Sequence, residues 1–337
     1  MHHPIFQRLK AEIEAREQAG LGRSLMAVSE RHGTTVTVDG REYLNFSSND
    51  FLGLAQDRDM AGKLADLCRR FGSGSGASRL VTGTENSTLA AEQALADYFG
   101  YESCLIMGSG FLANLTLIAT LFSEKDTLLL DKRAHTSTMA GVWHSRARFH
   151  TFRHNRMSHL RKLLEAHPPE AVLTESLFSM DGDSPDFAAL KKLKEEFNFL
   201  CIVDEAHALG VLGSEGKGLG RDVADVTVGT LGKAFGMFGA FILGPQIVRD
   251  YLIHEQAARH KGMKDPLAGK ADILLAPDLA AGNIFYKSLM YFARARSAGV
   301  VVGTKAPVLL NSRADSHETK INAVALGILM AAGGSGQ

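Results

Sequence analysis

Between residues 103 and 244 the chain repeats one pattern: a short apolar run, then a stretch with helical spacing. "SCLIM" precedes "FLANLTLIATLF", and "TLLLD" is followed at a distance by "SHLRKLLEAH". "AVLTES" precedes "FAALKKLKEEFN", after which come "FLCIVD", "VTVGT" and "GAFILGP". Apolar runs this short, without polar alternation, read as strands buried on both faces. Their alternation with helices predicts an α/β fold, a mainly parallel sheet between two helical layers. In such sheets active residues gather just beyond the carboxyl ends of the strands. Ser109 follows "SCLIM", Asp204 closes "CIVD" and Lys233 follows "VTVGT".

Outside this core, residues 5–20 predict an amphipathic helix, and "TTVTVDGREYLNF" predicts two short strands about an Asp-Gly turn. A glycine-rich loop spans 71–84 and a helix 86–99. The chain beyond 253 also alternates: strand "ADILLAPD", helix "AGNIFYKSLMYFARAR", strand "GVVVGTKAPVLL", helix "SHETKINAVALGILMAA". The expected organisation is an N-terminal helix and arm (1–45), a large domain (46–253), a shorter α/β segment (254–331) and a flexible tail (332–337).

Composition narrows the function. Formal net charge is zero, so no nucleic-acid or anionic-membrane partner is expected. Cys68, Cys104 and Cys201 form no paired spacing, which predicts neither a disulfide framework nor a metal site. Cys104 and Cys201 lie in strand-like runs and read as buried thiols of a reducing compartment. The charged N-terminus lacks the apolar stretch of a signal peptide, and no run is long enough to span a membrane, so the expected location is cytoplasmic.

The residues at the strand ends suit one cofactor chemistry. "TLGKAFG" sets Lys233 between small neighbours, leaving room for a Schiff base. Asp204 is placed to pair with a protonated ring nitrogen. "GSGF" (108–111) joins a strand to a helix start, where backbone amides cradle phosphate. His135 follows another strand and suits a ring-covering role, and Thr230 and Ser179 supply hydroxyls. Together these describe a pyridoxal phosphate site. Taken singly, each has a plainer reading: a surface lysine, a capping aspartate, an ordinary turn, a polar histidine. Their order at successive strand ends is what favours the cofactor.

From residue 1 to about 253 the chain resembles the α-oxoamine synthases, pyridoxal phosphate acyltransferases of fold type I. The resemblance is carried by "NFSSNDFLGLA", "GSGASRLVTGT", "SGFLAN", "FRHN", "TESLFSMDGDSPD", "VDEAHALGVLG" and "GTLGKAFGMFGAF". "NFSSNDFLGL" and "FSMDGD" are most similar to the 8-amino-7-oxononanoate synthase branch of biotin biosynthesis. The resemblance implies Lys233 as the Schiff-base lysine, Asp204 at the ring nitrogen, His207 near the ring hydroxyl and His135 stacked on the ring. It implies Ser109, Gly110 and Phe111 at the phosphate, with Thr230, Glu175 and Ser179 lining the same pocket, and Arg23 and Asn49 approaching substrate. It further implies a homodimer that condenses an amino acid, alanine in that branch, with a pimeloyl-type acyl thioester, releasing carbon dioxide. Thr88 and Ala91 depart from the family's pattern after "GTEN".

Beyond residue 253 the resemblance ends, and with it the family's small C-terminal domain and its carboxylate-binding arginine. Residues 255–329 instead resemble the C-terminal part of phosphate butyryl- and acetyltransferases, through "GKADILLAPD", "GNIFYKSLMYFA" and "SRADSHETK". There Ser312 and Arg313 match positions near an acyl-phosphate site; Arg313 also reads as a surface arginine. The chain thus reads as a chimera. Its alternatives to the condensing enzyme are a phosphate acyltransferase and a fusion that only binds the cofactor.

Overall fold

The computed structural model describes residues 3–260 and, beyond them, 300–301, 308–309, 320–321, 323–326 and 328. The chain forms two compact units, Met1–Asp265 and Pro266–Gln337.

The first unit is built on a seven-stranded sheet. In chain order its strands are β4 (Ser103–Met107), β5 (Thr127–Asp131), β6 (Arg148–Phe152), β7 (Ala171–Glu175), β8 (Leu200–Asp204), β9 (Val226–Thr230) and β10 (Ala240–Gly244). Their spatial order is β4-β10-β9-β8-β7-β5-β6. All neighbours are parallel except β10, which runs antiparallel to both β4 and β9. The strands predicted between residues 103 and 244 are all present. Strand β6, "RFHTF", is an addition, because its exposed Arg148 and Thr151 break the apolar run.

Successive residues of the central strands enter different cores. Leu128, Leu130, Leu173 and Ile202 join Leu117, Ile118 and Val142 on one face. Leu129, Val172, Cys201 and Val203 join Leu160, Leu164, Leu190 and Leu193 on the other. That alternation is why the strands read as unbroken apolar runs: both faces are covered. The first face packs α4 (Gly110–Leu121), α5 (Thr136–Ser145) and α8 (Gln246–His260); the second packs α6 (Met157–Ala166) and α7 (Phe187–Phe197). Helix α3 (Asn86–Phe99) lies against β4 and places Ala96 and Phe99 beside Phe241. Cys104 and Cys201 are buried free thiols, pushed up to about 12 mainly by desolvation.

Before the sheet, α1 (Pro4–Gln18) leads into an antiparallel meander of β1 (Glu30–His32), β2 (Thr35–Val38) and β3 (Arg41–Leu44). The turn Asp39-Gly40 has both φ values positive, 50° and 72°, as the predicted Asp-Gly hairpin requires. Strand β1 is polar and exposed, so the pattern of apolar residues did not reveal it. Helix α2 (Arg58–Phe71) is an addition: Met60, Leu64, Leu67 and Phe71 recur at helical spacing, yet none of its residues is buried among the described residues. Among the described residues the predicted amphipathic face of α1 covers nothing; Ile5, Phe6, Leu9 and Ile13 are all exposed.

Helix α8 runs unbroken across the expected junction at 253/254. In the second unit, Val300–Val301 (β11) and Val308–Leu309 (β12) pair antiparallel, so the run expected to be one strand is two. Gly303 and Pro307, which interrupt strands, lie between them in the sequence. Residues 320–321, 323–326 and 328 are helical, as "SHETKINAVALGIL" predicts. The expected strand "ADILLAPD", the helix "AGNIFYKSLMYFARAR", Ser312, Arg313 and the tail 332–337 lie outside the described residues.

Candidate active site

Five strand ends deliver the candidate residues to one edge of the sheet. Strand β4 ends before Ser109, β5 before His135, β7 on Glu175, β8 on Asp204 and β9 on Thr230. Glu175 and Asp204 are register partners on adjacent strands.

Ser109 caps α4, its Oγ accepting from the Leu112 amide at 3.2 Å, and its carbonyl accepts from Ala113 at 2.9 Å. Among the described residues nothing accepts from the Gly110 and Phe111 amides, which leaves the positive end of α4 open to an anion. A side chain at Gly110 would meet only Thr230, 3.9 Å away, so the space over this turn is clear.

Lys233 lies on the loop between β9 and β10. Both ends of that loop are tied: Leu231 N–H donates to the Gly239 carbonyl at 2.9 Å, and Thr230 Oγ1 donates to the same carbonyl at 3.1 Å. Gly236, at φ 63°, closes the loop against Leu54–Ala55; a Cβ there would stand 2.3 Å from the Ala55 nitrogen. The Lys233 Nζ is 2.6 Å from His207 Nε2. Desolvation lowers the lysine from its ordinary value, opposed by the negative charges of Asp204 and Glu175. His207 is lowered to about 4, by desolvation first and by Lys233 second, so it is a neutral acceptor beside the ammonium. Glu175 is raised to about 8, by burial first and then by Asp204.

Asp204 accepts from Asn114 Nδ2 at 2.6 Å and from the Ala206 amide at 2.9 Å. His135 caps α5, with Nδ1 2.6 Å from Ser137 Oγ, and Ser137 lies 3.0 Å from Asn114. Asn114 and Ser137 are buried and were not singled out by sequence: Asn114 closes the quoted motif "SGFLAN" without a role attached to it, and a Ser after His135 carries no pattern of its own.

A cavity of about 900 Å³ opens between the meander and the Lys233 loop. Its lining includes Asn49, Lys233, Arg31, Tyr43, Phe46 and Met237. Arg23 is not among its lining residues, and Ser179 lines a separate hollow of about 390 Å³ with Arg133 and Asp181. Two quoted motifs meet nearby: His154 of "FRHN" bridges Asp131 and Asp183, at 2.9 and 3.0 Å, and Asn155 donates to Asp183. His154, Asp181 and Asp183 place ligand atoms within 4.8 Å of one another, but both nitrogens of His154 already serve the two carboxylates.

These residues fit pyridoxal phosphate. An acceptor-only carboxylate suits a protonated ring nitrogen, the open start of α4 suits a phosphate, and a partly desolvated lysine suits an aldehyde.

Comparison with known proteins agrees with this geometry. Residues 41–259 match the family described as aminotransferase class I and II, and residues 242–328 match the phosphate acetyl/butaryl transferase family. The 8-amino-7-oxononanoate synthase of Vibrio campbellii is 39% identical over 261 residues, covering 76% of this chain and 68% of that protein. That of Aliivibrio fischeri strain MJ11 is 41% identical over 265 residues, covering 77% and 69%. Among solved structures, a serine palmitoyltransferase from S. paucimobilis with a bound PLP–myriocin aldimine superposes with a TM-score of 0.67 at 26% identity, covering 73% of this chain and 67% of that one. The chain spans about two thirds of the length of the curated relatives it matches, 64% to 69%. With its mainly parallel sheet, its strand-end lysine and these relatives, the chain belongs to the aminotransferase class I and II family, as a pyridoxal-phosphate-dependent acyltransferase of the α-oxoamine synthase type.

Proposed function

We propose that the protein condenses an amino acid, alanine, with a pimeloyl-type acyl thioester of CoA or a carrier protein, as in biotin biosynthesis. The observation that carries this reading is Lys233 at the end of β9, partly desolvated, beside a neutral His207 and opening on a cavity of about 900 Å³. Bound pyridoxal phosphate supplies an electron sink for the bond broken at the amino acid's α-carbon.

The chain's own residues have distinct tasks. With pyridoxal phosphate bound, Lys233 would hold it covalently and would serve as the base for the amino acid's α-proton. Asp204 would pair with the ring nitrogen, His207 with the ring hydroxyl, and His135 would cover the ring. The Gly110 and Phe111 amides, with Ser109 and Thr230, would hold the phosphate. Glu175 closes the floor beside Asp204, and Ser179 approaches from its neighbouring hollow. Asn49 and Arg23 approach substrate. In the overall reaction a carbon–carbon bond forms between the α-carbon and the thioester carbonyl carbon as the carbon–sulfur bond breaks and the thiol leaves; the carboxylate departs as carbon dioxide, and a proton takes its place on the α-carbon.

A cytoplasmic homodimer is part of the proposal. Its support is apolar surface with no cover among the described residues: Ile13, Leu25, Phe46, Leu64, Leu67 and Val81 are all more than a third exposed. Among the described residues no helix is long and apolar enough to cross a membrane.

The test is to load the protein with pyridoxal phosphate, reduce with borohydride and map the modified residue. A reduced adduct on Lys233, with thiol release that requires an amino acid, supports the reading; no adduct at Lys233 overturns it. The match of residues 242–328 favours a second reading, transfer of an acyl group to phosphate through Ser312 and Arg313. Thiol release that requires phosphate and not an amino acid supports that one. An adduct without thiol release under either condition identifies a chain that only binds the cofactor.

A further inference from the structure

Four side chains from three segments form one unbroken hydrogen-bonded line: His135, Ser137, Asn114 and Asp204. We propose that Ser137 and Asn114 are positioning residues that fix the ring of His135 in its Nε2–H tautomer and lock the orientation of Asp204. The inference rests on the reading above, in which His135 and Asp204 flank the cofactor ring.

The direction of every bond follows from valence. An ionised carboxylate only accepts, so Asn114 presents its nitrogen to Asp204 Oδ2 at 2.6 Å. The second hydrogen of that nitrogen points to Ser137 Oγ at 3.0 Å, which therefore accepts. The Ser137 hydroxyl hydrogen is then free for His135 Nδ1 at 2.6 Å, and the Ser137 backbone N–H donates to the same Nδ1 at 3.2 Å. Two donors converge on Nδ1, so that atom carries a lone pair and the proton sits on Nε2. Which nitrogen of a histidine is protonated is set by the bond the other makes.

Burial makes the line stringent. Ser137 is 0% exposed and Asn114 2%, so neither exchanges its partners for water. Asp204 is held at both oxygens, since the Ala206 amide takes Oδ1. The two walls of the ring site, one from the start of α5 and one from the end of β8, are thereby spaced by a single asparagine on α4.

The test begins without cofactor. Nitrogen NMR of the apoprotein labelled with 15N-histidine, with the His135 signals identified by their loss in His135→Gln, is expected to show Nδ1 unprotonated and Nε2 protonated. Ser137→Ala is expected to keep the fold, to move the His135 nitrogens toward a tautomer mixture, and to weaken pyridoxal phosphate binding about tenfold, the lower end of what partners behind a functional side chain supply. Asn114→Ala is expected to weaken binding at least as much. A proton on Nδ1 in the unmutated protein overturns the proposal, and this holds even if a variant fails to fold. So does Ser137→Ala with unchanged His135 signals and affinity within twofold. Failure of the underlying reading looks different: Lys233 unmodified by borohydride while His135 shows the expected tautomer.

Discussion

Asn114, on the second turn of α4, and Asp204, at the tip of β8, are 90 residues apart and joined by a hydrogen bond of 2.6 Å. The bond connects the helix whose first turn is the candidate phosphate cradle to the strand whose last residue is the candidate ring partner. A carboxylate so held is preorganised for a cation. Asp204 also governs Lys233, being the stronger of the two negative charges that raise it against desolvation. Asp204→Asn should therefore lower the pH at which Lys233 becomes reactive. Rates of lysine acylation across pH, resolved by peptide mapping, check this; a midpoint that stays in place or rises refutes it.

Glu175 makes a stability prediction. Its carboxyl titrates at about 8 in the folded chain against an ordinary 4.5. Below 4.5 both folded and unfolded chains hold the proton. Between 4.5 and 8 the unfolded chain releases it first, so rising pH destabilises the fold, and the full cost is present above 8. Glu175→Gln should remove this slope and gain on the order of 3 kcal/mol at pH 8.5, after allowing for relaxation around the buried group. His207, lowered to about 4, contributes the opposite slope between 4 and 6.5 in both proteins, so the comparison needs denaturant melts of each.

Glu92 offers a second buried carboxylate, on α3. It is 3% exposed and accepts from Arg79, Arg249 and the Ile106 amide, at 2.7, 3.2 and 2.8 Å. Burial pushes it up, and these partners more than offset that, leaving it below its ordinary value. Glu92→Leu strands two arginines and an amide, and should cost about 3 kcal/mol in a urea melt. The glycine-rich loop that carries Arg79 should become the first site of proteolysis.

The exposed apolar faces of α1 and α2 predict association. Ile13→Glu with Leu67→Glu should turn a dimer into a monomer in sedimentation, with little change in far-ultraviolet circular dichroism. A wild-type chain that sediments as a monomer at micromolar concentration refutes the homodimer.

Much of this architecture was legible because the sheet is buried on both faces. Every strand from "SCLIM" to "GAFILGP" except β6 appears as an apolar run, and the ends of five of them, β4, β5, β7, β8 and β9, name a candidate residue. What stayed hidden has physical causes. Strand β1 is short, polar and exposed, so no apolar pattern marks it. Helix α2 does carry an apolar stripe at helical spacing, Met60, Leu64, Leu67 and Phe71, and a reading fixed on the buried sheet passed over it. Asn114 and Ser137 act through other side chains, and their partners are distant in sequence. The antiparallel course of β10 was equally silent, since a nine-residue return and a crossover begin with the same glycines.

That return has a consequence in time. With residues 231 and 239 bonded to each other and Gly236 wedged on Ala55, the backbone under Lys233 has no hinge. The Lys233 side chain therefore reorients by rotating its own methylenes, a motion of picoseconds to nanoseconds, rather than by the microsecond opening of a lid. The slow clock of this enzyme must be sought elsewhere in the chain.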